Sequence, residues 1–136
     1  MTTAATISTM QSEPTLVGQT VVVIGGSAGI GLETARRARA EGAEVILTGR
    51  DPDRVEHAAN ELGALTSAGF DAADPDRLAR FFQDLPTPID HVMVTAGRPY
   101  YARLGDIDLA QAHREVDEHL WLTLHVAHEA ADKVRP

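Results

Sequence analysis

The sequence predicts an α/β domain: three layers, with a parallel β-sheet in strand order 3-2-1-4 between helices on both faces. Three observations predict it. Short apolar runs alternate four times with segments of helical periodicity. The first run, VVVI at 21–24, leads straight into the glycine-rich stretch GGSAGIG at 25–31. The chain has 136 residues, 43% of them hydrophobic and 24% charged, which suits one folded domain rather than two.

Residues 21–24 read as a buried strand. Residues 29 to about 40 read as a helix whose Arg36, Arg37 and Arg39 face water, and Gly42 follows as its stop. AEVILTG (43–49) is the second strand. In DPDRV (51–55), Asp51 supplies a cap, Pro52 a pre-set first turn and Asp53 an early acid, so a helix starts there and ends near residue 62. ALTSAGF (64–70) is a weaker third strand, and DPDRL (74–78) repeats the helix-start chemistry. IDHVMVTAG (89–97) is a fourth strand ending on a small-residue turn.

From residue 108 to about 133 the pattern is helical. Leu109, Ala112, Val116, Leu120, Ala127 and Ala130 recur near 3.6 residues and are expected to line one face. Trp121, Leu122 and Val126 widen the apolar sector, which implies a second neighbour for this helix, from its own chain or another subunit. The expected organisation is a flexible leader at 1–16 and a partial Rossmann-like domain at 17–136, with the fourth strand left as an open edge.

Charge and composition narrow the function. The net charge is −8, and residues 51–136 carry sixteen acids against eight bases, the wrong sign for a nucleic-acid surface. Cysteine is absent, which removes disulfides and thiolate metal sites. No apolar run approaches the ~20 residues of a membrane-spanning helix. The first sixteen residues lack the basic and apolar regions of a secretory signal, so a cytoplasmic location is expected. His125 and His128 lie at i, i+3 with His119 and Glu129 nearby, but His119, His125 and His128 do not all share one helix face and read as solvated surface; no metal is expected.

The glycines carry the chemistry. A strand that ends in a glycine turn and feeds a helix aims the helix's free N–H groups and positive dipole end at the turn, which makes an anion site. Gly25, Gly29 and Gly31 are spaced GxxxGxG, one residue longer than GxGxxG. In a dinucleotide site an acid at the end of the second strand takes the ribose 2′-hydroxyl. Here that position is Gly49, followed by Arg50, whose guanidinium suits a 2′-phosphate. NADP is therefore expected over NAD, although acidic Asp51 stands next to it.

Together these stretches resemble the short-chain dehydrogenase/reductase family, over residues 18–97 and more loosely around 108–132. GGSAGIG is similar to its TGxxxGxG loop, with Ile24 where the threonine stands. GFDAAD (69–74) resembles the segment after its third strand, and VTAG (94–97) its NNAG turn with Val94 and Thr95 for the asparagines. The resemblance implies a nicotinamide cofactor held by Gly25, Ser27, Gly29, Ile30, Gly31, Arg50, Asp71, Ala72, Ala96 and Gly97, with Asp71 and Ala72 at the adenine. It implies hydride transfer at a carbonyl or alcohol, and a homo-oligomer through the last helix in a full-length form.

It also implies a catalytic Ser, a Tyr-x-x-x-Lys pair and a helper Asn. The only lysine is Lys133, four residues after Glu129, while Tyr100 and Tyr101 precede Leu104 and Gly105 by four. No Tyr-x-x-x-Lys exists in this chain, no catalytic residue is assigned, and the helper position falls on His119. The expectation is the cofactor-binding half of such an oxidoreductase, truncated before a fifth strand and inactive alone. A non-catalytic dinucleotide-binding or sensing module is the alternative, and a methyltransferase-like nucleotide user stands as a third.

Overall fold

A computed structural model describes residues 15–136 apart from residue 87. The elements run β1 (Thr20–Ile24), α1 (Gly29–Ala40), β2 (Glu44–Gly49), α2 (Pro52–Leu62), β3 (Thr66–Gly69), α3 (Pro75–Gln83), β4 (His91–Val94) and α4 (Leu109–Ala130), with a short 3-10 turn at Leu104–Asp106. The four strands form one parallel sheet in the order β3-β2-β1-β4. This is the predicted Rossmann-like layout.

Alternation along β1 builds the layers. Val21 and Val23 pack with Ala35 and Ala38 of α1 and Ala58 of α2 on one face. Val22 and Ile24 pack with Leu78 and Phe82 of α3 and Leu122, Val126 and Ala130 of α4 on the other. Both sides of the strand are buried, so its sequence is continuously apolar.

The helix starts are local chemistry. Asp51, Asp74 and Asp108 accept hydrogen bonds from backbone N–H groups of the first turns of α2, α3 and α4. Gly63, at φ 61°, ends α2 in the left-handed conformation. On the exposed side of α1, hydrogen bonds from Arg37 and then Arg36 hold the Glu33 carboxyl below the usual carboxylate range.

The leader expected over 1–16 lies outside the described residues as far as residue 14. The amides of Thr15 and Leu16 both donate to Glu41, to its side chain and carbonyl oxygen respectively.

The buried face of α4 differs from the periodicity-based expectation. Leu122, Val126 and Ala130 are buried, whereas Leu109, Val116, Leu120 and Trp121 are exposed. The helix has apolar residues on two sides, and spacing cannot say which side meets the sheet. Its rotation is fixed by contact with β4 and α3.

After α4 the chain turns back beside β4. The Ile89 amide donates to the Lys133 carbonyl (2.9 Å) and the Arg135 amide to the Ile89 carbonyl (2.8 Å), one parallel bridge. Arg135 also lies 3.4 Å from the Asp90 carboxylate. Among the described residues, that bridge is the only pairing on the outer edge of β4.

Candidate functional site

The parallel register sets Ile24 beside Thr48 and Val94, and Gly49 beside Gly69. All four strands therefore finish together. Ligands of open parallel sheets bind beyond this end, and every residue proposed for the site lies at it or just past it.

The turn after β1 is built by close approach. The amides of Gly25 and Gly26 donate to the Thr48 carbonyl at 3.2 and 2.8 Å, which ties the turn to β2. Thr95 Oγ1 donates to the Gly25 carbonyl at 3.0 Å, which ties it to the end of β4. A Cβ at Gly31 would strike the Gly25 carbonyl oxygen and come within 2.5 Å of Thr95 Oγ1. A Cβ at Gly25, whose φ is +98°, would lie 2.6 Å from the Ala96 nitrogen. These two glycines let backbone pack on backbone.

Gly29 has the opposite surroundings. Its φ is +55°, and nothing stands within 4 Å of where its Cβ would be. Ile30 beside it is 74% exposed. The space over the start of α1 is open.

The start of α1 is also the one α-helix start without a side-chain cap among the described residues. Ala28 occupies the cap position, and the first turn has no acid. In α2 and α3 an Asp cap and a first-turn Asp meet the helix dipole. In α1 the first-turn N–H groups have no intrahelical acceptor and no carboxylate in that turn competes for them. A cradle with free donors and open space over Gly29 fits a pyrophosphate.

The end of β2 shows why no acid stands there. A Cβ at Gly49 would lie 2.6 Å from both Ser27 Oγ and Val55 Cγ2. Ser27 is thus packed against the end of β2, a contact that sequence spacing did not reveal. Arg50 is exposed and forms no ion pair among the described residues, while Asp51 is engaged as the α2 cap.

Past β3, Asp71 is exposed and its Oδ1 accepts the Ala73 amide at 3.0 Å. The Ala72 methyl belongs to the core with Phe70 and Leu78. Only the Ala72 backbone is left to face a ligand.

Past β4, His119 of α4 leans on Gly97. Its Nε2 lies 2.6 Å from where a Cβ on Gly97 would be, and its Nδ1 lies 2.7 Å from the Glu115 carbonyl. A carbonyl only accepts, so Nδ1 donates in this contact. Glu115 Oε1 accepts from Gln111 Nε2 at 2.7 Å, and Oε2 is buried without a partner among the described residues. Tyr100 is part of loop packing: its hydroxyl accepts the Asp108 amide at 2.9 Å. Among the described residues, no group of three His, Cys, Asp or Glu side chains is arranged to hold a metal ion, and no helix is long and apolar enough to cross a membrane.

Comparison with known proteins agrees with this geometry. The family model described as short chain dehydrogenase matches residues 19–134. The chain belongs to that family. It is 37% identical over 97 residues to the short-chain dehydrogenase/reductase ATR9 of Stachybotrys chlorohalonatus, covering 62% of this chain and 38% of that protein. It is 29% identical over 137 residues to 11-beta-hydroxysteroid dehydrogenase 1A of Arabidopsis thaliana, covering 94% of this chain and 39% of that one.

Among solved structures, a short-chain type dehydrogenase/reductase from Mycobacterium ulcerans superposes with a TM-score of 0.77 at 27% identity, over 87% of this chain and 47% of that one. BdcA in complex with NADPH superposes with a TM-score of 0.73 at 28% identity, over 88% and 48%. The chain thus spans less than half the length of each of these relatives.

Proposed function

We propose that this chain forms the dinucleotide-binding part of an oxidoreductase that moves a hydride between a nicotinamide cofactor and a carbonyl or alcohol, with NADP preferred over NAD. The observation that carries the proposal is the uncapped start of α1 beside the open space over Gly29. In this proposal the turn from Gly25 through Ser27, Gly29, Ile30 and Gly31 holds the pyrophosphate. Arg50 pairs with the 2′-phosphate, Asp71 and the Ala72 backbone meet the adenine, and Ala96 and Gly97, adjoining Gly25, close the far side. Support for NADP comes from the crowded, acid-free end of β2 and from the NADPH complex of BdcA.

The nicotinamide supplies or accepts the hydride when bound; this chain's own residues bind and orient it. With no Tyr-x-x-x-Lys, the chain is assigned cofactor binding and no turnover by itself. A non-catalytic dinucleotide-binding or sensing module is the second reading, drawn from His119 at the helper position.

Titration of the 136-residue chain with NADPH and NADH, read by cofactor fluorescence, tests the cofactor assignment. NADPH should bind more tightly. Arg50→Ala should weaken NADPH on the order of tenfold, the worth of a charge-assisted contact, and leave NADH nearly unchanged. Equal losses for both cofactors would remove the 2′-phosphate role.

The exposed side of α4 is the proposed contact of a homo-oligomer. Leu109, Val116, Leu120 and Leu124 follow one another at spacings of seven and four, and all are exposed. Sedimentation should show self-association that Leu120→Glu weakens; an unchanged monomer in both chains would contradict it.

A further inference from the structure

A second groove runs along the side of the sheet. Among the described residues β3 is an edge strand, with β2 as its one partner. Between its outer side and α3 runs an open cavity of about 320 Å³, lined by residues 66–70 on one side and by Arg77, Arg80 and Phe81 on the other. Phe70 and Phe81 form an apolar floor, their ring centroids 5.5 Å apart. Leu78 and Phe82, fully buried, anchor α3 on the core, so the two arginines are presented by a fixed helix.

The groove carries two positive charges in a chain that is acidic overall. Net charge is −8, and Arg36, Arg37 and Arg39 each lie against a carboxylate. Arg77 and Arg80, in the more acidic part of the sequence, form no ion pair among the described residues. Asp84 lines one end of the groove without closing onto either of them. Two like-charged guanidiniums one helical turn apart therefore flank an open strand edge.

From this juxtaposition we infer that the β3–α3 groove is a docking site for an extended acidic peptide segment. The segment's backbone pairs with the free edge of β3, its carboxylates meet Arg77 and Arg80, and an apolar side chain rests on Phe70 and Phe81. An edge strand presents unpaired N–H and C=O groups to any extended chain. The guanidiniums select among such chains: they repel a second copy of the same edge and attract an acidic one. The groove is open along its length, which suits a strand more than an enclosed small molecule.

The probe is a fluorescein-labelled seven-residue peptide alternating Glu and Val, titrated into the 136-residue chain at low and high salt, with a Lys–Val peptide as control. The Glu–Val peptide should bind, lose affinity as salt rises, and protect amides of Thr66–Gly69 from hydrogen exchange; the Lys–Val peptide should not bind. Arg77→Ala with Arg80→Ala should weaken binding on the order of tenfold. Both side chains are exposed, so that variant should melt like the parent. The exchange measurement on the parent chain needs no variant. No binding of the Glu–Val peptide, equal binding of both peptides, unchanged affinity in the double variant, or full displacement by free glutamate without β3 protection would each overturn the peptide site.

Discussion

Gly29→Val should lower dinucleotide affinity about a hundredfold, equivalent to ~2.7 kcal/mol, while the domain stays folded. Two features of one residue produce this. Nothing beyond its own turn lies within 4 Å of a Cβ at Gly29, so a valine side chain enters the open space where the pyrophosphate is proposed to lie. The φ of +55° adds backbone strain of about 1–2 kcal/mol for a β-branched residue, felt as a modest drop in thermal midpoint. Asparagine tolerates the left-handed region, so Gly29→Asn separates strain from obstruction. It should melt close to the parent and still bind poorly. Parent-like affinity for NADPH in the valine variant would show that the turn does not seat the phosphates.

Gly31→Ala is expected to destabilise the whole domain by about 3 kcal/mol, the upper range for overpacking. Its new methyl would strike the Gly25 carbonyl oxygen and crowd Thr95 Oγ1, both of which hold the turn to its neighbours. Neither is the far end of a flexible side chain. Relief requires α1 to lift from the sheet, which loosens Ala35 and Ala38 from Val21 and Val23. Chemical denaturation should show a lower midpoint, and hydrogen exchange should quicken along α1. A parent-like midpoint would mean that α1 can shift freely, contrary to the packing described. The two glycine variants thus fail differently, Gly29 through binding and Gly31 through folding.

Much of the fold was legible because it rests on local chemistry. The Asp caps of α2 and α3 act within two or three residues of themselves, as do the prolines that follow them, so those helix starts could be read directly, while α4 was placed by its periodicity. The continuously apolar VVVI requires burial on both sides, which with the intervening helices implies a parallel sheet. Of the candidate site, the glycine spacing and its position between strand and helix were legible. What each glycine does was not. Gly25 and Gly31 make room for backbone, Gly29 faces open space, and Gly49 makes room for Ser27 and Val55.

The sequence by itself determined the elements, their order in the sheet and the end of the sheet where the candidate residues gather. These follow from caps, periodicity and connection rules that act within short stretches of chain. The tertiary structure alone decided the rotation of α4, which buries Leu122, Val126 and Ala130 and leaves Leu120 and Trp121 in solvent. It alone joined Thr95 to Gly25 across 70 residues, set His119 against Gly97, and placed Arg77 and Arg80 along the outer side of β3. The physical reason is common to all of these. Periodicity records how far apart apolar residues recur, but a helix's rotation and a glycine's neighbours depend on surfaces brought together from distant parts of the chain.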